Sequence, residues 1–163
     1  MHFKPVYQKL LKAEEYKAWR KDHLQFTLAH VFYLNDESNK DIWHIGFFDS
    51  ISDTITTFVM KEESIRIVPT EDVFKEEKVL VKELEVEKVR LEFDEALEKA
   101  KEFQKREYGN EPILKEILIL QHTEQGQVYN TTFLLSSFKT LNIKIDAATG
   151  AVISHQKENF ISR

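Results

Sequence analysis

Cysteine is absent from the 163 residues, and with it any disulfide staple and any thiolate chemistry. That fits a reducing compartment, and the chain is expected to be cytoplasmic. Glycine is scarce at four and proline at three, which excludes a glycine-rich phosphate loop and leaves few places for irregular backbone. Long elements and short turns are expected. Basic residues are outnumbered 23 to 28, for a net charge of −5, and nucleic acid is not expected as a partner because phosphate binding is driven by basic patches. The local cluster Lys17, Arg20 and Lys21 reads as a solvated helix face. No run approaches the ~20 apolar residues that cross a bilayer. The N-terminal stretch MHFKPVYQKLLKAEEYKAWRKDH carries charge where an export signal has an apolar centre of ~7–15 residues, so no membrane partner is expected either.

Hydrophobic bulk is what the chain does have. Hydrophobic residues make up 42% of it, with twelve Phe, five Tyr and two Trp, enough for a substantial core. The stretch Lys139–His155 sets the pattern. Leu141, Ile143 and Ile145 alternate with Asn142, Lys144 and Asp146, the period of a half-buried strand, and the chain returns through Asp146–Gly150 into a second strand. The Asp146 carboxylate can accept from backbone N–H groups two or three residues on, and Gly150 can take the positive φ that closes a short hairpin.

In chain order, Pro5 suits the first turn of a helix. Residues 6–21 predict one bent helix or two short ones joined near Lys12, with Tyr7, Leu10, Leu11, Tyr16 and Trp19 buried. Strands are predicted over 24–34, 42–48, 54–60 and 65–68, Pro69 stopping the last. Gly46 marks a bulge or a close backbone approach. A charged linker, 70–83, follows. Leu84–Leu91 reads as a weak strand leading into the clearest helix, in which Phe93, Ala96, Leu97, Ala100 and Phe103 fall at helical spacing. Glu92, Asp94 and Glu95 open that helix, Lys105 and Arg106 close it, and Gly109 stops it. Strands at 113–122, 127–136 and 139–146 complete an antiparallel meander, since their loops are too short for parallel crossovers.

Both halves run helix then strands, which predicts a degenerate repeat. Lys61–Ser64 and Asp146–Gly150 lie at nearly equal distances from their helix ends and are matched on that basis. A competing register pairs Asp49–Asp53 with Asp146–Gly150. It has better turn chemistry but leaves the first half one strand short.

Leu91–Ala100 (LEFDEALEKA), three strands and then IKIDAATGAVIS at 143–154 resemble the PepSY domain, whose terminal hairpin carries Asp-x-x-Thr-Gly. Asp146, Thr149 and Gly150 match that motif position for position, and the resemblance covers roughly 84–155. It implies a PepSY-like unit over 84–163, and the shared element order alone extends this to an α+β fold of two tandem PepSY-like units, each an antiparallel sheet with a helix packed on one face: 1–69 (diverged, since Lys61–Ser64 lacks the Asp and Gly), the linker 70–83, and 84–163. It also implies a protein-binding or protease-inhibitory association and supplies no catalytic residues.

Chemistry-bearing residues are sparse. The six histidines include no i, i+4 pair, so no metal or cofactor is expected. His30 and His44 fall on adjacent strands and form the best contact pair. The competing reading buries them in an aromatic layer with Phe32, Trp43 and Phe48. No serine lies in a glycine elbow, and Ser154 and His155 point to opposite sides of a strand. The chain is therefore expected to be a non-enzymatic protein- or peptide-binding module, with His30, Trp43, His44 and Tyr129 as contact candidates. A small-molecule pocket between helix and curved sheet, and a structural homodimer, stand as alternatives.

Overall fold

Ala13 interrupts the N-terminal helical stretch, giving α1 (Phe3–Lys12) and α2 (Glu14–Lys21), with the break one residue past the expected Lys12. Ala13 has an extended backbone, φ −69° and ψ 140°, so it ends one helix and caps the next. The computed structural model describes residues 1–70 and 81–159. Four strands follow: β1 (Thr27–Asn35), β2 (Ile42–Asp49), β3 (Thr54–Lys61) and β4 (Ser64–Thr70). Most of the expected linker, residues 71–80 with Phe74, Val79 and Leu80, lies outside the described residues. Then come α3 (Phe93–Tyr108), β5 (Ile113–Thr123), β6 (Gly126–Leu135), β7 (Lys139–Asp146) and β8 (Val152–Asn159).

The fold is α+β, and its eight described strands form one antiparallel sheet in the order β4-β3-β2-β1-β5-β6-β7-β8. The halves do not carry a sheet apiece. Their first strands zip together from His30 opposite Gln121 to Asn35 opposite Glu116, so one ladder continues through the molecule. Joining the edges satisfies backbone groups that two separate meanders would leave unpaired.

Leu84–Leu91 is not a strand, contrary to expectation. Pairing with β5 leaves little of the β1 edge free: Lys82 bridges His122, and the Leu84 N–H donates to the Leu28 carbonyl at 2.8 Å. Leu84 then enters the core, a 3₁₀ turn forms at Val86–Lys88, and the N–H groups of Arg90 and Leu91 both donate to the Ala147 carbonyl at 2.9 and 3.0 Å. The Asp146–Gly150 corner thus anchors the approach to α3.

At the start of α3, Glu92 and Glu95 form a reciprocal capping box, and the Glu92 carboxylate also accepts from the Phe3 N–H at 2.9 Å. Phe93 is fully buried, with its ring 4.9 Å from Trp43 and 5.0 Å from Tyr129, both edge-on. Burying one such ring contributes roughly 2–3 kcal/mol. Phe93 thereby ties strands of both halves into one core. On the other side of the core, Tyr16 and Trp19 of α2 lie 5.6 and 5.5 Å from Phe47, and 5.6 and 5.1 Å from Phe58. Among the described residues no helix is long and apolar enough to cross a membrane.

Candidate functional site

His30 and His44 do fall on one side of the sheet, as diagonal neighbours: His30 opposes Gly46, and His44 opposes Phe32. The His44 ring meets Phe32 edge-on at 5.3 Å. Both imidazoles titrate below the ordinary histidine range, His30 because of burial and then His44, His44 because of burial and then Arg66. Gly46 is the expected close approach, since the His30 ring fills the space a side chain there would need. Among the described residues no three His, Asp or Glu side chains gather as a metal set.

The other two contact candidates separate from that pair. Trp43 precedes His44 on β2 and therefore points to the opposite side, where it is buried against Tyr33, Phe3 and Phe93. Tyr129 is wholly buried, and its hydroxyl donates to the Leu91 carbonyl at 2.6 Å. Both are core residues, and aromatic count alone could not distinguish them from surface contacts. Trp43 therefore stands on the sheet face opposite His30 and His44, and the three do not share one lining among the described residues.

The turn motif behaves as its residues dictate. Asp146 Oδ1 accepts from the N–H groups of Ala148 and Thr149 at 2.8 Å each, and Thr149 Oγ1 accepts from the Ala151 N–H at 3.2 Å. Gly150 takes φ 78° and donates to the Asp146 carbonyl at 2.9 Å. Its hydrogen faces the Lys99 stem, so no larger residue fits without moving that side chain.

Three clefts distinguish themselves by how their polar groups are used. The largest, about 560 Å³ beside Asn35, Lys101 and Glu116, is satisfied internally: Glu116 accepts from Asn35 at 2.6 Å and pairs with Lys101 at 2.8 Å. A second, of about 540 Å³, is closed in the same manner around Glu111, whose carboxylate is held down to about 2 by hydrogen bonds from Ser137 and then by Lys157. The smallest, about 290 Å³, lies between the two N-terminal helices, β1, β2 and residues 83–87. Size favours the first cleft, but chemistry favours the smallest.

Three of the five tyrosine hydroxyls have protein partners: Tyr33 with the Asp41 N–H, Tyr108 with His155, and Tyr129 with Leu91. The other two, Tyr7 and Tyr16, have no hydrogen-bond partner among the described residues, and both line the smallest cleft. Tyr16 is only 9% exposed. Arg20, one turn on from Tyr16, joins them, with its Nη1 fixed by the carbonyls of Phe26 at 2.6 Å and His23 at 3.2 Å. Arg20 is thus no solvated helix position. The Tyr7 phenol is pushed up to about 12, by burial first, then by Tyr16, against an opposing pull from Arg20, with Glu83 and Glu87 adding to the rise. Sequence reasoning placed both tyrosines on the buried stripe and missed what their hydroxyls share. The signal was the i, i+4 spacing of Tyr16 and Arg20, which puts them on one helix side.

No known family matches the chain, and no curated protein matches it. Among solved structures, the crystal structure of a "putative lipoprotein" from Clostridium difficile 630 superposes with a TM-score of 0.56 at 13% identity, covering 89% of this chain and 91% of that one. At that identity the likeness concerns the fold alone.

Proposed function

We propose that the chain is a non-catalytic binding module built from two tandem PepSY-like units, and that its ligand enters the cleft between the N-terminal helices and the sheet. The tandem reading is supported by element order, since each half runs helix and then four antiparallel strands. In strand order, Lys61–Ser64 occupies the place in the first meander that Asp146–Gly150 occupies in the second. The cytoplasmic assignment rests on composition.

One observation carries the binding reading: two tyrosine hydroxyls without hydrogen-bond partners among the described residues share a cavity with a pre-positioned guanidinium. Hydroxyls that open onto the cleft without a protein partner are free to bond a ligand, and such donors and acceptors orient a ligand that displaces water. Thermal-shift screening of a small-molecule panel against the full chain, beside a Tyr7→Phe/Tyr16→Phe variant, tests it. Hits that stabilise the parent and not the variant are expected. A panel that acts equally on both removes the cleft from consideration.

Strand addition by a peptide is the second reading. Among the described strands, β4 and β8 each have a single neighbour, so each offers an outer edge. Pro69 lacks an N–H and blunts β4, which leaves β8 as the better edge. Amide exchange along Val152–Asn159 that slows on addition of a peptide partner would favour this reading over the cleft.

A further inference from the structure

We infer that the cleft takes a small zwitterion, a molecule bearing both an ammonium and a carboxylate on an apolar body, such as a free apolar amino acid or a dipeptide. The inference rests on the cleft being the binding site and adds the chemical class of its occupant.

The cleft is dipolar. Its α2 wall presents Arg20, which spends Nη1 on the Phe26 and His23 carbonyls and makes no other hydrogen bond among the described residues. Another part of its lining is the segment carrying Glu83, Glu85 and Glu87. Glu85 is already paired with Lys88 at 2.9 Å, whereas the Glu83 and Glu87 carboxylates have no ion pair among the described residues. Arg20 and the glutamates line one cleft, and both act on the Tyr7 phenol in opposite senses, so charges of both signs stand around it. A lone anion would meet the glutamates and a lone cation the arginine. A zwitterion satisfies both.

The rest of the lining sets size and character. Phe26, Leu28 and Phe47, buried and apolar, complete a lining whose accessible surface is otherwise mostly polar, which leaves room for a short hydrocarbon body between the charged groups. At about 290 Å³ the cleft sits near the lower end of the ~300–1,000 Å³ range of small-molecule sites, which suits a single small compound over a polymer. Tyr16 lines the same space, and its hydroxyl, which has no hydrogen-bond partner among the described residues, is available there as a donor or acceptor for either head group.

The test uses the full chain and four probes: L-leucine, L-leucyl-L-leucine, isopentylamine and 4-methylpentanoate. Binding is followed by the fluorescence of Trp19, whose ring lies 5.9 Å from Tyr16. The expected result is saturable binding of one or both zwitterions and a loss of about tenfold or more for each compound with one head group removed. The spacing that the cleft prefers, amino acid or dipeptide, is read from which zwitterion binds more tightly. Glu83→Gln/Glu87→Gln is expected to bring 4-methylpentanoate level with the zwitterion. Tyr7→Phe, which keeps the ring and the packing, is expected to weaken every probe.

Amine or acid binding as tightly as the zwitterion overturns the inference while leaving the cleft a binding site. No response to any of the four, together with no hit in the broader screen, overturns the inference and the binding-site reading alike, with water as the occupant of the cleft.

Discussion

The imidazole of His30 lies against the backbone of Gly46, its partner across β1 and β2: a methyl group at position 46 would stand 2.3 Å from the ring's Cε1. The ladder shifts register between Leu28 and His30, and beyond that bulge the histidine ring covers the one residue in β2 without a side chain. Gly46→Ala is therefore expected to destabilise the fold by roughly 1–3 kcal/mol, because the ring is packed and has to move. Adding His30→Ala should recover much of the loss. Urea midpoints of the two single variants and the double variant measure the coupling.

Acidification should weaken the protein through the same residue. Burial and then His44 hold the His30 imidazole below its ordinary range, so the unfolded chain, with a value near ~6.5, takes up the proton first as the pH falls. The stabilisation is complete above that value and is lost as the pH drops from it toward the folded-state value. His44, lowered by burial and then by Arg66, acts in the same direction. The urea midpoint should be lower at about pH 5.5 than at about pH 7.5, and His30→Gln should flatten the difference.

The C-terminal corner gives two substitutions of different origin. Asp146→Ala removes the acceptor of two backbone N–H groups and should cost about 1–2 kcal/mol. Gly150→Ala forces a Cβ onto φ 78° and into the Lys99 stem at 2.6 Å, and should cost at least about 1 kcal/mol. Since the corner also receives the N–H groups of Arg90 and Leu91 through Ala147, Asp146→Ala should speed amide exchange at those two residues ahead of global unfolding.

Tyr129→Phe isolates one buried hydrogen bond. The ring stays against Phe93, but the Leu91 carbonyl loses its 2.6 Å donor, so a destabilisation of about 1–2 kcal/mol is expected with the fold retained. Thermal unfolding followed by near-ultraviolet circular dichroism reports it. Burial pushes the phenol above the ordinary tyrosine range, so alkaline titration should leave this tyrosine un-ionised after exposed ones have changed.

Where local chemistry decides the backbone, the sequence is readable. Alternation in Leu141, Ile143 and Ile145 fixes β7 at Lys139–Asp146, and the Asp146–Gly150 turn follows from one carboxylate and one glycine. The stripe from Phe93 to Phe103 fixes α3. Strand partners beyond adjacent hairpins were not legible, because nothing in the letters of β1 or β5 says that His30 will meet Gln121. That pairing in turn decided the fate of Leu84–Leu91, whose alternation suggested a strand that found little free edge. For the site, residue type showed Tyr7, Tyr16 and Arg20 as stripe and surface. Only the folded chain shows that they converge on one cavity, with two hydroxyls that have no hydrogen-bond partner among the described residues. Conversely, Trp43 and Tyr129 looked available until Phe93 was found seated between them.

The central seam sets a timetable for synthesis. Asn35 and Glu116, joined at its end, are separated by 81 positions, so β1 leaves the ribosome long before its second neighbour exists. Through that interval the nascent N-terminal half carries an unmated ribbon flank, largely apolar, that can recruit a sister chain. Slowing translation after β4 should therefore raise the yield of aggregates, and supplying the C-terminal half in trans should lower it.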